Sequence, residues 1–180
     1  YNVEGFGHAE VVSALALGFA RVLLLAGPQT ERGSVIDQLE LAQAIVAGTG
    51  HDGSRIAVID PADPDALETA LAVPKASALV DQPILPLGGR REVTRLAASA
   101  LAGGDTPVID LPKGAVYGTV AVDEDACTLC LACASLCPSG ALFDNPDKPQ
   151  LSVQETACLQ CGICAQACPE NAISLVPQMN

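Results

Sequence analysis

The first hundred residues alternate between short aliphatic runs and longer stretches with helical periodicity. Residues 21–26 and 55–59 are aliphatic runs of the kind that form strands buried on both faces of a parallel sheet. Around them apolar residues recur every three or four positions, as they do on the buried face of a helix. Helices are predicted over residues 8–18, 34–47 and about 91–102.

A further helix is predicted to begin after the second aliphatic run. Asp63 is a favoured N-cap residue, and Pro64 is a favoured first residue of a helix. The resulting order of helix, strand, helix, strand and helix predicts the α/β class. We expect a small open layer domain built on a parallel sheet.

The pattern changes in the last third of the chain. Residues 119–122 and 173–176 alternate as strands do, and residues 142–143 and 151–153 flank a turn-forming segment, 145–149. A stretch rich in glycine and proline precedes these strands and is typical of a linker. We predict an α/β scaffold or docking domain over residues 1–104, a linker over 105–115 and a second domain over 116–180.

All eight cysteines lie in the second domain and form an internal repeat. Each run reads C-x2-C-x2-C-x3-C-P, and the second run follows the first at a distance of 31 residues. Two copies of one half-domain are therefore predicted. The runs comprise Cys127, Cys130, Cys133, Cys137 and Pro138, and then Cys158, Cys161, Cys164, Cys168 and Pro169.

Three interpretations compete for the cysteine runs. Disulfides would need an oxidising compartment, which no feature of the sequence indicates. Two C-x-x-C pairs could hold zinc, but zinc explains neither the third cysteine of each run nor the fourth cysteine followed by proline. The full run has the spacing that holds a [4Fe-4S] cluster, with the fourth cysteine of each run crossing to the other cluster. The uncharged residues between the cysteines would keep water away and leave backbone N–H groups free to bind sulfur.

With these residues, the segment 118–176 resembles bacterial-type two-cluster ferredoxins. The resemblance implies an α+β ferredoxin-like 2[4Fe-4S] domain with a pseudo-twofold repeat. It also implies two ligand sets, here called quartet I and quartet II, each of which links the two halves of the domain. Quartet I consists of Cys127, Cys130, Cys133 and Cys168, and quartet II consists of Cys158, Cys161, Cys164 and Cys137.

The net negative charge of the chain makes some classes of binding partner unfavourable. The chain has 9 basic and 21 acidic residues and a formal net charge of −12, so it would repel nucleic acids and anionic membrane surfaces. A helix that spans a membrane needs about 20 apolar residues. The apolar runs of this chain are far shorter, so no direct membrane insertion is expected. The expected partner is a redox protein with a basic docking face, whose association weakens as salt rises.

The first domain shows no recognisable catalytic or metal-binding motif. The glycine-containing segments 5–7 and 27–33 lack the spacing of phosphate-binding loops, and His8 and His51 each lack a neighbouring ligand. Residues 8–33 resemble the small hydrogenase delta-subunit domain associated with heterodisulfide reductase. That family holds a [2Fe-2S] cluster on cysteines that are missing here, so the resemblance implies a scaffold or docking role.

Together these features predict electron transfer through two low-potential [4Fe-4S] clusters, in a ferredoxin module of a larger redox protein or complex. The chain begins with Tyr1, and we expect it to be part of a longer polypeptide and not a self-contained enzyme. No export signal is visible, so a cytoplasmic location is expected. Two alternatives remain: an iron–sulfur subunit or fragment of a hydrogenase- or heterodisulfide reductase-like oxidoreductase with its active centre elsewhere, or a cluster-based sensor.

Overall fold

A computed structural model describes residues 3–59, 64–72, 76–104 and 107–180. The chain divides into two compact units, and the division falls between Ile109 and Asp110, inside the segment predicted as a linker. Part of that segment is regular structure, because Ile109 and Asp110 form a short strand and Ile109 is buried. None of the helices among the described residues is long and apolar enough to cross a membrane.

The first unit alternates helices and strands as the hydrophobic pattern predicts. Strands β1 and β2 pair in parallel, with Val22 opposite Ile56. Helix α3 begins at Pro64 as predicted, whereas the predicted N-cap Asp63 lies outside the described residues. The elements are α1 (His8–Ala16), β1 (Val22–Leu25), α2 (Arg32–Gly48), β2 (Ile56–Ile59), α3 (Pro64–Ala72) and α4 (Arg90–Leu101).

The prediction that both strands are buried on both faces is wrong. Leu25 at the end of β1 is 40% exposed, and Val58 in β2 is 39% exposed. A strand of a parallel sheet is buried on both faces only where helices cover both faces. The described helices leave this part of the sheet surface open to solvent.

The core of the first unit forms where α1 packs against α2 and α4. Leu15 and Ile45, on α1 and α2, are fully buried, and Thr94 on α4 is buried with its hydroxyl donating to the Arg90 carbonyl oxygen at 2.8 Å. Burial of the apolar faces of these helices therefore stabilises this unit.

Glu10 joins the start of α1 to the start of α4. Its carboxylate accepts from the Gly7 backbone N–H at 2.9 Å and from the Arg90 guanidinium. Burial raises the pKa of the Glu10 carboxyl, but hydrogen bonds from its own backbone N–H and that of Gly7, together with Arg90, outweigh burial and leave the pKa lowered.

The second unit consists of short strands and two short helices. Strand β4 pairs antiparallel with β7, and β5 pairs antiparallel with β6. The predicted strands 119–122, 151–153 and 173–176 are confirmed at both ends. The short strand β3 (Ile109–Asp110) lies at the division between the units, and the elements that follow it are β4 (Thr119–Val122), α5 (Ala132–Ser135), β5 (Leu142–Asp144), β6 (Leu151–Val153), α6 (Ile163–Ala167), β7 (Ile173–Val176) and β8 (Gln178–Met179).

The core of the second unit combines strand residues with cysteines. Val120, Leu142 and Ile173 are buried together with the sulfur-bearing side chains of Cys133 and Cys164. Helices α5 and α6 carry these two cysteines and contact each other. The apolar core thus holds the third cysteine of each run in place.

We predict that Leu15→Ala lowers the free energy of unfolding by about 2–5 kcal/mol, because it leaves a cavity between packed helices. The measurement is urea unfolding of the full chain followed by far-ultraviolet circular dichroism. Leu71→Ala, at a position on α3 that is 67% exposed, is the matched control and should change stability by less than about 0.5 kcal/mol. Equal losses in the two variants would contradict the assignment of this core.

Candidate metal centre

The eight cysteines fall into three groups by exposure to solvent. Cys133, Cys158 and Cys164 are buried, while Cys130 and Cys161, the second cysteines of the two runs, are exposed. The remaining three are half-buried. Each run therefore extends from the core of the unit to its surface.

The structure brings the cysteines together in two recesses of similar size. One recess is lined by all four members of quartet I. The other is lined by all four members of quartet II. The fourth cysteine of each run, Cys137 or Cys168, thus lies beside the recess of the opposite run.

Left-handed backbone conformations shape both cysteine loops. Leu129 and Leu131 have φ values of 53° and 60°, and the residues 31 positions later, Gln160 and Gly162, have 54° and 77°. A side chain at such a φ costs roughly 1–2 kcal/mol, since Cβ approaches the following carbonyl oxygen. Gly140 and Asn171, which follow the two Cys-Pro pairs, form a third equivalent pair, at 67° and 52°. Both loops therefore turn sharply at the same steps, which aims successive cysteines into one recess.

Short helices hold the third cysteine of each run. Burial raises the pKa of the Cys133 thiol and of the Cys164 thiol. Backbone N–H groups oppose this effect, including those of Ala134 at Cys133 and Ala165 at Cys164. These N–H groups favour a sulfur that carries negative charge, as a metal-bound thiolate does.

The fourth cysteines also accept hydrogen bonds. Burial raises the pKa of the Cys137 thiol, but backbone N–H groups of Leu142, Ser139 and Ala141 and the Ser139 hydroxyl outweigh burial and leave the pKa lowered. The Ala172 backbone N–H donates to the Cys168 sulfur at 3.3 Å. Backbone N–H groups therefore donate to the sulfur atoms of both fourth cysteines.

These features fit an iron–sulfur group better than a mononuclear ion. Among the described residues, no three His, Cys, Asp or Glu side chains come close enough together to hold a single metal ion. The four cysteines of each quartet instead line one recess, and backbone N–H groups donate to the third and fourth cysteines of each run. A [4Fe-4S] cluster takes one thiolate on each of four iron atoms and is stabilised by hydrogen bonds to sulfur.

A comparison with protein families assigns the class of this unit. Residues 114–173 match the family model of the 4Fe-4S dicluster domain. The second unit therefore carries a ferredoxin-type 4Fe-4S domain, a class that transfers electrons through iron–sulfur clusters, and it binds at least one [4Fe-4S] cluster. The chain matches no curated protein significantly. The matched range does not reach residues 8–33, so the resemblance to the hydrogenase delta-subunit domain is unsupported.

Sequence reasoning missed two polar side chains beside the sulfur atoms. Gln160 Nε2 donates to the Cys158 sulfur at 3.4 Å, and the Ser139 hydroxyl lies 3.6 Å from the Cys137 sulfur. The signal available in the sequence was the break in the repeat, because the residues 31 positions away are Leu129 and Glu170.

The arrangement of the recesses predicts which thiols depend on each crossing cysteine. In protein purified without oxygen, Cys137→Ala should leave the rest of quartet II open to alkylation by iodoacetamide, while quartet I stays protected. Cys168→Ala is the matched variant and should expose quartet I instead. Mass spectrometry of the alkylated peptides makes the measurement. Loss of protection at Cys127, Cys130 and Cys133 in the Cys137→Ala protein would contradict the crossing arrangement.

Proposed function

We propose that the second unit holds two [4Fe-4S] clusters, one on quartet I and one on quartet II, and passes electrons between redox partners. The observation that carries this proposal is the pair of similar recesses, each lined by three cysteines of one run and the fourth of the other. When bound, each cluster supplies a one-electron couple without bond making or breaking in the protein. The chain's own residues hold, bury and electrostatically adjust the two sites.

The strand pairing and the loop conformations of the two halves support equal occupancy of both quartets. Each antiparallel pair takes one strand from each half: β4 with β7, and β5 with β6. The left-handed backbone positions recur at the 31-residue spacing of the cysteines. The two loops therefore turn at corresponding residues, which supports the same kind of group in both recesses.

The charge of the chain favours low reduction potentials. Each oxidised cluster with four thiolates adds a formal charge of −2, which takes the chain from −12 to about −16 with two clusters. Adding an electron to such surroundings is unfavourable. We therefore place both potentials in the lower half of the range of about −700 to +450 mV that iron–sulfur clusters span.

An acidic surface around the sites favours a basic docking face on the partner. Residues 116–180 contain seven acidic residues and one basic residue, Lys148. All the acidic side chains except Glu155 are exposed, among them Glu124 and Glu170 near quartet I. The exposed thiols of Cys130 and Cys161 bring both quartets to the surface, where a partner can approach closely.

The first unit offers apolar side chains for docking within a larger redox protein or complex. Phe19, Leu85 and Leu87 are each more than half exposed. The segments that carry them adjoin, because the Ile84 backbone N–H donates to the carbonyl oxygen of Ala16 at 3.1 Å. Exposed apolar side chains on neighbouring segments are typical of an interaction surface. A scaffold role for this unit is thus compatible with electron transfer by the second.

The iron content tests the proposal directly. Full-length protein purified without oxygen should contain about eight iron and eight acid-labile sulfide per chain, and reduction by dithionite should give the EPR spectrum of two magnetically coupled clusters. Zinc in place of iron, or about four iron per chain in fully loaded protein, would contradict a two-cluster module. A cluster-based sensor would not pass its electrons rapidly to an added acceptor.

Salt dependence tests the docking charge. Reduction of cytochrome c, a basic redox protein, should become slower as ionic strength rises, because screening weakens attraction to the acidic surface. Reduction of ferricyanide, an anionic acceptor, is the control and should become faster. Stopped-flow absorbance gives both rates. A cytochrome c rate that does not depend on salt would argue for a mainly apolar docking surface.

A further inference from the structure

The two cysteine recesses have matching backbones but different polar side chains. At the first position that differs, Leu129 of quartet I corresponds to Gln160 of quartet II. At the second, Glu170 lines the recess of quartet I where Ser139 lines that of quartet II. One recess therefore has two additional hydrogen-bond donors, and the other has a carboxylate.

Gln160 is held in place by two acceptors. Its Nε2 atom donates to the Thr119 carbonyl oxygen at 2.6 Å and to the Cys158 sulfur at 3.4 Å. A carbonyl oxygen and a metal-bound thiolate can only accept, so both neighbours require the amide nitrogen on this side. The bond to strand β4 thus keeps a donor directed at a quartet II sulfur.

Ser139 supplies the second donor. Its hydroxyl oxygen lies 3.6 Å from the Cys137 sulfur, within hydrogen-bond range for sulfur. A cysteine sulfur that binds iron has lost its proton, so the serine hydroxyl must be the donor in the loaded protein. Two of the four quartet II sulfur atoms therefore accept a hydrogen bond from a side chain.

The corresponding positions of quartet I have the opposite character. Leu129 has no donor, and its side chain lines the recess. Glu170 brings a negative charge to the same recess, although its exposure to solvent screens that charge. At the third cysteines the backbone donors correspond between the two runs, Ala134 with Ala165, so the difference there lies in the side chains.

We propose that Gln160, assisted by Ser139, gives quartet II the higher reduction potential, so that an electron shared between the sites resides mainly there. This inference rests on the proposed two-cluster function. Reduction adds one negative charge to a site and breaks no bond; donors to sulfur stabilise that added charge, and a nearby carboxylate opposes it. The one-electron reductant is an external donor, which is dithionite in the test below.

The test is an EPR-monitored potentiometric titration of the full-length, iron-loaded protein. The wild-type chain should show two one-electron waves, with the electron favouring one site by at least about tenfold, which corresponds to a separation of about 59 mV. Gln160→Leu should lower the upper wave and leave the lower wave in place. Leu129→Gln, the reciprocal variant, should raise the lower wave only.

Two further variants separate the effect of Ser139 on the reduction potentials from that of Gln160 and from unspecific effects. Ser139→Ala should lower the upper wave by less than Gln160→Leu does, because its contact with sulfur is longer. Gln166→Leu, at an exposed glutamine on α6, is the matched control and should leave both waves unchanged.

The outcomes distinguish this inference from the function on which it rests. If Gln160→Leu keeps about eight iron but shifts the lower wave, or shifts neither, the inference is overturned and the two-cluster function stands. If Gln160→Leu loses iron, Leu129→Gln decides: a raised lower wave supports the inference, and unchanged waves overturn it. A wild-type protein with about four iron per chain overturns both.

Discussion

The second unit depends on the convergence of four sulfur atoms, supplied by both halves of the chain, at each of two recesses. Strand pairing meets this requirement, because both β4–β7 and β5–β6 take one strand from each half. Cys137 and Cys168 then lie beside the opposite runs. The strand pairs and the crossing cysteines tie together the same two halves, so neither half could form its recess alone.

The same constraint explains where backbone strain is found. Every non-glycine residue with positive φ among the described residues lies in or next to a cysteine run: Leu129, Leu131, Gln160 and Asn171. Such positions persist only where surrounding structure holds them, and they concentrate at functional sites. A unit this small buries little apolar surface, so metal binding is expected to contribute to its folding free energy.

The strands and the grouping of the cysteines are predicted best from the sequence, because alternation and fixed spacing are local signals. The ends of helices are predicted less accurately. Helix α2 begins at Arg32, two residues before its predicted start, because the Glu31 carboxylate accepts hydrogen bonds from the Gly33 and Ser34 N–H groups. Glutamate is not a usual N-cap residue, so the sequence did not indicate this start. The exposure of Leu25 and Val58 depends on which helices cover the sheet. The contact of Gln160 with Cys158 depends on the fold that brings Thr119 of strand β4 beside Gln160. No local pattern contains either fact.

The position of the Gln160 side chain depends on the glycine at position 118. At Gly118 a Cβ atom would lie 2.7 Å from Gln160 Nε2 and even closer to the Val176 carbonyl oxygen. A side chain at position 118 would therefore displace the amide that reaches the Cys158 sulfur. The loops share one path, which fixes where sulfur lies, while single positions such as 118 and 160 set how many donors each sulfur receives. A repeated fold can thus hold two unequal sites without any change in its cysteine spacing.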